Sequence, residues 1–388
     1  MKNPTVIFRV TNNCNLRCKY CYDKSNEIDN KFVNQIFSEN IERIIENLSK
    51  IYNNEKARKK IIFHGGEPLL VKVKTYEEFI NKMNERFNNV AYSIQTNGTL
   101  INDEYAKLFK KYKISVGISL DGCNEEQNGC RVYGDGKNSF NDVMKAIDIL
   151  KQNDVRYGII ITLTKKHIGQ ANKIYDFLAT NHISANIRPA FPTKNNDNSI
   201  IMTQEEYEKF FIELFDIWYN DKQKRVSLRQ ISEMYQEFSK VIEKDYRTKL
   251  CCDSKSCFSN FYSLDVEGNV YACNRTYNNP DLKFGNLNEN TFEEIKNKAQ
   301  ELKRKRIEYI ENSECKQCPI FEYCNGGCPA NSIEFQENLF EPNKNWCKAK
   351  IGIHNYIKSK MTNDGNLKFY IENRKKKENG NSKCLCGK

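Results

Sequence analysis

The sequence predicts an α/β protein in two parts, a parallel sheet built from six β/α units followed by a small cysteine-rich α+β domain. Three observations predict it. Six short β-branched runs alternate with helical segments from residue 5 to about 191. Distinctive Gly-, Asn- and Asp-bearing loops follow the first four runs, where the carboxyl ends of parallel strands would converge. Nine of the sixteen cysteines then fall between residues 251 and 347.

The strands read TVIFRV, KIIFH, AYSIQT, ISVGISL, RYGIIITL and SANIRPAF. Between the first two, Val33, Phe37, Ile41, Ile44, Leu48 and Ile51 recur at spacings of three and four, which makes one apolar helical face to pack on the sheet exterior. A three-cysteine loop follows strand one, GGEP (65–68) strand two and TNG (96–98) strand three, while SLDG (119–122) closes strand four, so four loops share one rim. After a polar break at 194–199, two helical stretches (about 203–220 and 229–243) lead into FYSLDVEGNVYAC, where Glu267-Gly268-Asn269 reads as a hairpin turn. The expected division is a barrel over 1–200, a helical linker over 201–244, the cysteine-rich domain over 245–357 and a basic tail over 358–388.

Composition narrows the class. A chain of 388 residues, 39% hydrophobic and 29% charged, can bury a core. It has neither a secretory leader nor a run of about 20 apolar residues, so a cytoplasmic protein with no membrane partner is expected. In a reducing cytoplasm sixteen cysteines point to metal rather than disulfides, and with four histidines thiolate is the dominant ligand. The net charge of +11 is scattered over helices, which argues against a nucleic-acid partner. The dense run Arg374-Lys375-Lys376-Lys377 lies in the polar tail.

Zinc sites and fully ligated iron–sulfur clusters usually take four protein ligands. Cys14, Cys18 and Cys21 offer three, with no histidine in the loop. A cubane on three thiolates leaves one iron open, which is useful where a substrate or cofactor binds the metal. This C-x3-C-x2-C, with Tyr20 beside its last cysteine, resembles the radical S-adenosylmethionine superfamily. The resemblance implies a partial (β/α)6 TIM-like barrel in which S-adenosyl-L-methionine chelates the open iron and is reductively cleaved to a 5′-deoxyadenosyl radical. It also implies that Gly65, Gly66 and Glu67 receive the methionine ammonium, and that Asn97, Ser119, Asp121 and Arg131 hold its carboxylate and ribose. Reduced flavodoxin or ferredoxin would donate the electron.

The second half resembles the SPASM domain of peptide- and protein-modifying enzymes, on Cys257, Gly268-x4-Cys273, C-x2-C-x5-C-x3-C at Cys315, Cys318, Cys324 and Cys328, and then Cys347. By that resemblance Cys251, Cys257, Cys273 and Cys328 hold auxiliary cluster I, and Cys315, Cys318, Cys324 and Cys347 hold cluster II, which makes three 4Fe-4S clusters in all. Cys252 competes with Cys251 for its place, and a pair of zinc ribbons is the bland alternative for these eight thiols. Cys123, Cys130, Cys384 and Cys386 are left over; Cys123, after SLDG, is a weak catalytic candidate as a proton relay, with a spare thiol the plainer reading.

The layout is similar to anaerobic sulfatase-maturating enzymes, which oxidise a Ser or Cys of a substrate protein to formylglycine. In those an Asp after the third ligand of cluster I is the general base, and Asn274 stands there here. The preferred expectation is therefore a maturase that abstracts hydrogen from a ribosomally made peptide and leaves a thioether, C–C or C–O link or an oxidised residue. Sulfatase maturation comes second. A zinc or electron-carrier protein and a small-molecule radical dehydrogenase are rivals. If Asn274 were restored to Asp, a nearby reduced cluster would be expected to raise its pKa. With Cys14 so near the start, leader recognition falls to the barrel, the SPASM surface, the tail or a separate protein.

Overall fold

The structure, a computed structural model, describes residues 3–23, 37–192, 197–223, 225–234, 257–277, 279–332 and 340–363. All six expected strands form: β1 (Thr5–Thr11), β2 (Lys59–Gly65), β3 (Val90–Thr96), β4 (Ser115–Ser119), β5 (Tyr157–Leu163) and β6 (Ala185–Pro189). They pair in parallel in chain order, with the helices α1 (Ile41–Ile51), α2 (Val73–Arg86), α3 (Asp103–Lys111), α4 (Phe140–Gln152) and α5 (Ala171–Thr180) between them. The face read from periodicity is the buried one, since Phe37, Ile41, Ile44, Leu48 and Ile51 are all within the core. Phe37 meets Phe8 of β1 edge to face at 5.3 Å, and each such apolar side chain contributes about 1.5–3 kcal/mol on burial. Val33 lies outside the described residues.

The sheet does not close. Beyond β1 it continues with β7 (Phe261–Asp265), parallel to β1, and then with antiparallel β8 (Asn269–Tyr271) and β9 (Lys283–Asn286), giving the order β6-β5-β4-β3-β2-β1-β7-β8-β9. The cysteine-rich half thus extends the barrel's own sheet. Its hairpin turns where expected: the Asp265 carboxylate accepts from the backbone N–H of Glu267 and Asn269 at 3.0 and 2.9 Å, and Gly268 takes φ +89°. At the opposite edge Ala185 N donates to Ser227 O at 3.0 Å and Ile187 N to the Gln230 side chain at 2.9 Å, which satisfies part of the exposed strand.

Two longer helices begin with the Thr-x-x-Glu signal that N-termini favour. Thr203 and Glu206 form a capping box on α6 (Gln204–Asn220), as do Thr291 and Glu294 on α7 (Phe292–Glu311). The last described helix, α8 (Cys347–Asn363), returns to α6, where Tyr356 donates to Asp216 at 2.5 Å. Just ahead of it Trp346 meets Phe191 and Tyr207, each at 5.3 Å, in a small core against which Tyr20 packs. That core joins the end of the cysteine-rich half to the loop after β1. Among the described residues no helix is long and apolar enough to cross a membrane.

Candidate active site

The four predicted loops meet at one rim because the strands that carry them are adjacent and parallel. Gly65 and Gly66 let the β2 loop lie flat on the β1 loop: a Cβ on either would collide with the carbonyl of Thr11 or Asn13. In the space that remains, Gly66 N donates to Thr11 O at 2.9 Å and Glu67 N to Asn13 O at 2.7 Å. The Asn97 side chain donates to Asn15 at 2.8 Å and reaches the Cys14 sulfur at 3.9 Å, so the TNG loop is fastened to the cysteine loop as well. On the far side Arg17 N and Lys19 N donate to Val132 O and Cys130 O at 2.6 and 2.9 Å, which draws Arg131 against the same loop.

Glu67 is fully buried, and its carboxylate takes three hydrogen bonds from within the fold. It accepts from Leu69 N at 2.8 Å, Thr96 Oγ1 at 2.6 Å and Asn97 N at 2.7 Å. Burial pushes its carboxyl above the usual range while these donors pull it back. Asp121, equally buried, accepts from Thr162 N at 2.9 Å and from the Tyr20 hydroxyl; Arg131 donates to that hydroxyl at 2.5 Å and stands 3.9 Å from the carboxylate. Tyr20, Asp121 and Arg131 are therefore one connected unit, with Asp121 and Arg131 buried. Ser119 ends β4 beside it. Cys123 is half-buried one turn further on, where Asn124 donates to its sulfur at 3.8 Å; no base contacts it among the bonds described.

Cys14, Cys18 and Cys21 face this rim, all partly buried. Burial, with neighbouring negative charge, pushes the Cys14 and Cys21 thiols up to about 12 and raises Cys18 too. Without metal they stay protonated; cationic iron would turn them into thiolates. Among the described residues no three Cys, His, Asp or Glu side chains are arranged around a single ion. The donor set and its spacing fit a polynuclear cluster. In the second half Cys315, Cys318, Cys324, Cys328 and Cys347 line one cavity, and Cys257 lines its neighbour. Cys273 is half-buried, with Cys328 the thiol that acts on it most. Cys251, Cys252, Cys384 and Cys386 lie outside the described residues.

Sequence reading missed a second polar group on the rim. Arg9 of β1, 1% exposed, donates to Asp23 and Asn12 at 2.5 and 2.9 Å, and to the Asn274 carbonyl oxygen at 2.7 Å; its guanidinium lies 3.8 Å above the Tyr277 ring. The Asn274 amide nitrogen then donates to the Tyr22 hydroxyl at 2.6 Å and faces His64 Nδ1 at 3.3 Å. Burial first, then the Arg9 cation, pushes His64 down to about 4. The signal was present: Arg9 and His64 are the polar residues near the ends of apolar strands, and the register sets them side by side.

Comparison with known proteins finds likenesses to both halves of the chain. The Radical SAM superfamily profile matches residues 8–178, and the SPASM iron-sulfur cluster-binding domain matches 252–319. A cysteine-type anaerobic sulfatase-maturating enzyme of Clostridium novyi (strain NT) is 33% identical over 345 residues, covering 85% of this chain and 89% of that one. One of the same type from Clostridium perfringens (strain 13 / Type A) is 31% identical, covering 81% and 85%. A solved structure of native anSMEcpe with bound AdoMet and a Kp18Cys peptide superposes with TM-score 0.77 at 25% identity, covering 92% of this chain and 98% of that chain.

Proposed function

Because the chain belongs to the radical SAM superfamily and carries a SPASM domain behind its barrel, we propose that this enzyme oxidises a cysteine or serine side chain of a bound protein or peptide to formylglycine. That is the reading the sequence ranked second. What carries it is the extent of the likeness to cysteine-type sulfatase-maturating enzymes, which runs through both halves of the chain.

When bound to the cluster on Cys14, Cys18 and Cys21, S-adenosylmethionine would supply a 5′-deoxyadenosyl radical able to take hydrogen from carbon. The chain's own residues position the parts. With the Glu67 carboxylate engaged by Leu69, Thr96 and Asn97, the methionine ammonium falls to the backbone of Gly65–Glu67. Arg131, beside Asp121 and braced by Tyr20, supplies the cation for the methionine carboxylate. The auxiliary thiols Cys257, Cys273 and Cys328 with Cys251, and Cys315, Cys318, Cys324 and Cys347, would hold two further clusters.

Taking a cysteine side chain to this oxidation level removes one hydrogen atom from carbon, one proton from sulfur and one further electron. Asn274 cannot take the proton. Asp23 is engaged by Arg9. His64, neutral at pH 7, is the acceptor left in this network, and a weak one, since its Nδ1 already accepts from Gly65 N at 2.8 Å. The same observation, an amide fixed by Arg9 where a carboxylate would be expected, favours a second reading: cross-linking or oxidation of a ribosomally made peptide after the same first step.

The test is the anaerobically reconstituted enzyme with a cysteine-containing sulfatase peptide. Multiple turnovers to the aldehyde, seen by mass spectrometry, are expected. 5′-Deoxyadenosine without aldehyde, together with a new cross-link in a cysteine-rich peptide, overturns the first reading in favour of the second.

A further inference from the structure

Arg306 of α7 is 5% exposed and is fixed by backbone carbonyls rather than by a carboxylate. Its Nη2 donates to Gly326 O and Gly327 O at 3.0 and 2.9 Å, and its Nη1 to Phe340 O at 3.3 Å. Among the described residues no Asp or Glu pairs with it. Gly326 and Gly327 are the middle of the turn between Cys324 and Cys328, and both take positive φ, +76° and +71°. The turn lies tight on α7, because a Cβ on Gly326 would stand 2.6 Å from the Ile310 side chain. Arg306 therefore grips the short peptide whose two ends carry one ligand of each auxiliary site.

Burial pulls the Arg306 guanidinium down from its ordinary value, while thiols of both sets, Cys257 and Cys328 of the first and Cys324 and Cys315 of the second, pull it back up. It also lines the cavity that Cys257 faces. A buried cation without a counter-ion is costly, whereas a cubane on four thiolates carries net negative charge. Two other cations in this region each reach a thiol sulfur. Arg275 reaches the Cys328 sulfur at 3.9 Å and is anchored to Asn331 at 2.6 Å; Lys350 reaches the Cys324 sulfur at 3.6 Å.

We propose that Arg306 is the shared counter-ion of the two auxiliary iron–sulfur sites, a positioning residue that raises both reduction potentials together and fixes the Cys324–Cys328 turn between them. This rests on the assignment of those eight cysteines to two clusters. A cation close to a cluster favours its reduced, more negative state, and the effect grows as water is excluded.

The experiment is redox titration of the anaerobically reconstituted full chain, followed by electron paramagnetic resonance, with iron counted alongside. Arg306→Gln is expected to lower both auxiliary potentials by a similar amount, about tenfold in the reduction equilibrium or roughly 59 mV for one electron, and to leave the N-terminal cluster unmoved. Arg306→Lys, which keeps the charge, should stay within about threefold of wild type on the same one-electron scale. Arg275→Gln should move one auxiliary cluster only. Full iron with unmoved potentials in Arg306→Gln, or movement of only one, overturns the proposal. If Arg306→Gln loads less iron, Arg306→Lys decides: full iron and wild-type potentials support the proposal, and loss in both overturns it. Wild-type protein that loads about four irons rather than about twelve overturns the two-cluster assignment itself; twelve irons with unmoved potentials overturns the role of Arg306 alone.

Discussion

The two sides of the barrel rim are built on different logic. On one side Tyr20, Glu67, Asn97, Asp121 and Arg131 come from short motifs in the loops of the rim, tied to one another and to nearby backbone, with Arg131 as the cation beside Asp121. On the other, Arg9, Asp23, Asn274, Tyr22 and His64 are gathered from β1, the cysteine loop, β2 and the segment after β8, up to 265 residues apart. The first side resembles a socket for a ligand common to a superfamily. The second depends on strand register, and it holds Asn274 where the family resemblance implies a carboxylate.

The largest effect expected on the first side comes from removing Cys14, Cys18 and Cys21 together by substitution with Ala. The reconstituted variant should lose about four of roughly twelve irons and all cleavage of S-adenosylmethionine, while the auxiliary sites keep theirs. Cleavage retained in that variant breaks the socket reading outright.

Next in size is Arg9→Met, which tests whether the second side is a unit. The substitution leaves Asp23 and the Asn274 carbonyl without their donor. Breaking a buried charge pair costs about 3–5 kcal/mol, and Asp23's partial exposure (14% of its side chain) places this one near 3 kcal/mol. Urea denaturation measures it. A loss under about 1 kcal/mol, the range of exposed pairs, shows that the network is not cooperative.

Much of the first side was legible because its motifs are local. GGEP, TNG and SLDG each follow a strand that periodicity finds unaided, so their convergence follows from parallel pairing alone. What the motifs did not show is the bracing use of Glu67, whose carboxylate also ties the β2 loop to the end of β3. The second side was illegible for the opposite reason. That Arg9 meets Asn274 depends on β7 pairing beside β1, a long-range choice for which neither strand carries a signal. The continuation of the sheet into β7, β8 and β9 was hidden in the same way, although the β7–β8 hairpin itself was readable from Glu267-Gly268.

Glu67→Gln comes third and separates brace from ligand. One acceptor oxygen becomes a donor facing Thr96 Oγ1 or Asn97 N, and leaving a buried donor unsatisfied costs about 1–3 kcal/mol. The denaturation midpoint should fall by a corresponding amount, while S-adenosylmethionine affinity measured by calorimetry should fall by less. An unchanged midpoint with affinity reduced by the full 1.5–3 kcal/mol of a charged hydrogen bond would restore the carboxylate to ammonium binding.

The smallest effect is the most specific to the second side. Asn274→Asp was expected from sequence to bring a carboxylate whose pKa a reduced cluster would raise. In the metal-free protein a different influence acts: the oxygen it would carry lies 2.7 Å from Arg9 Nη1, and an opposite charge at that range favours the ionised form. Its folded pKa should therefore lie below the ordinary 3.9. A carboxylate depressed on folding contributes stability that is present above about pH 4 and lost as pH falls through the folded value. Competition with Asp23 for the same guanidinium limits the gain to about 1 kcal/mol, the scale of a single modest pair. His64 supplies a second readout with a different window. Its folded pKa of about 4 is depressed from 6.5, so its neutral form favours the folded state above pH 6.5, and that contribution is lost as pH falls toward 4. The new carboxylate beside it should raise the His64 value and narrow that window. Denaturation midpoints of the apo wild type and variant from pH 3 to 7 test both: the variant should gain on the wild type most between pH 4 and 6. A variant that loses ground throughout that range would show that Asn274 is held by its amide nitrogen, through Tyr22 and His64, more than by Arg9.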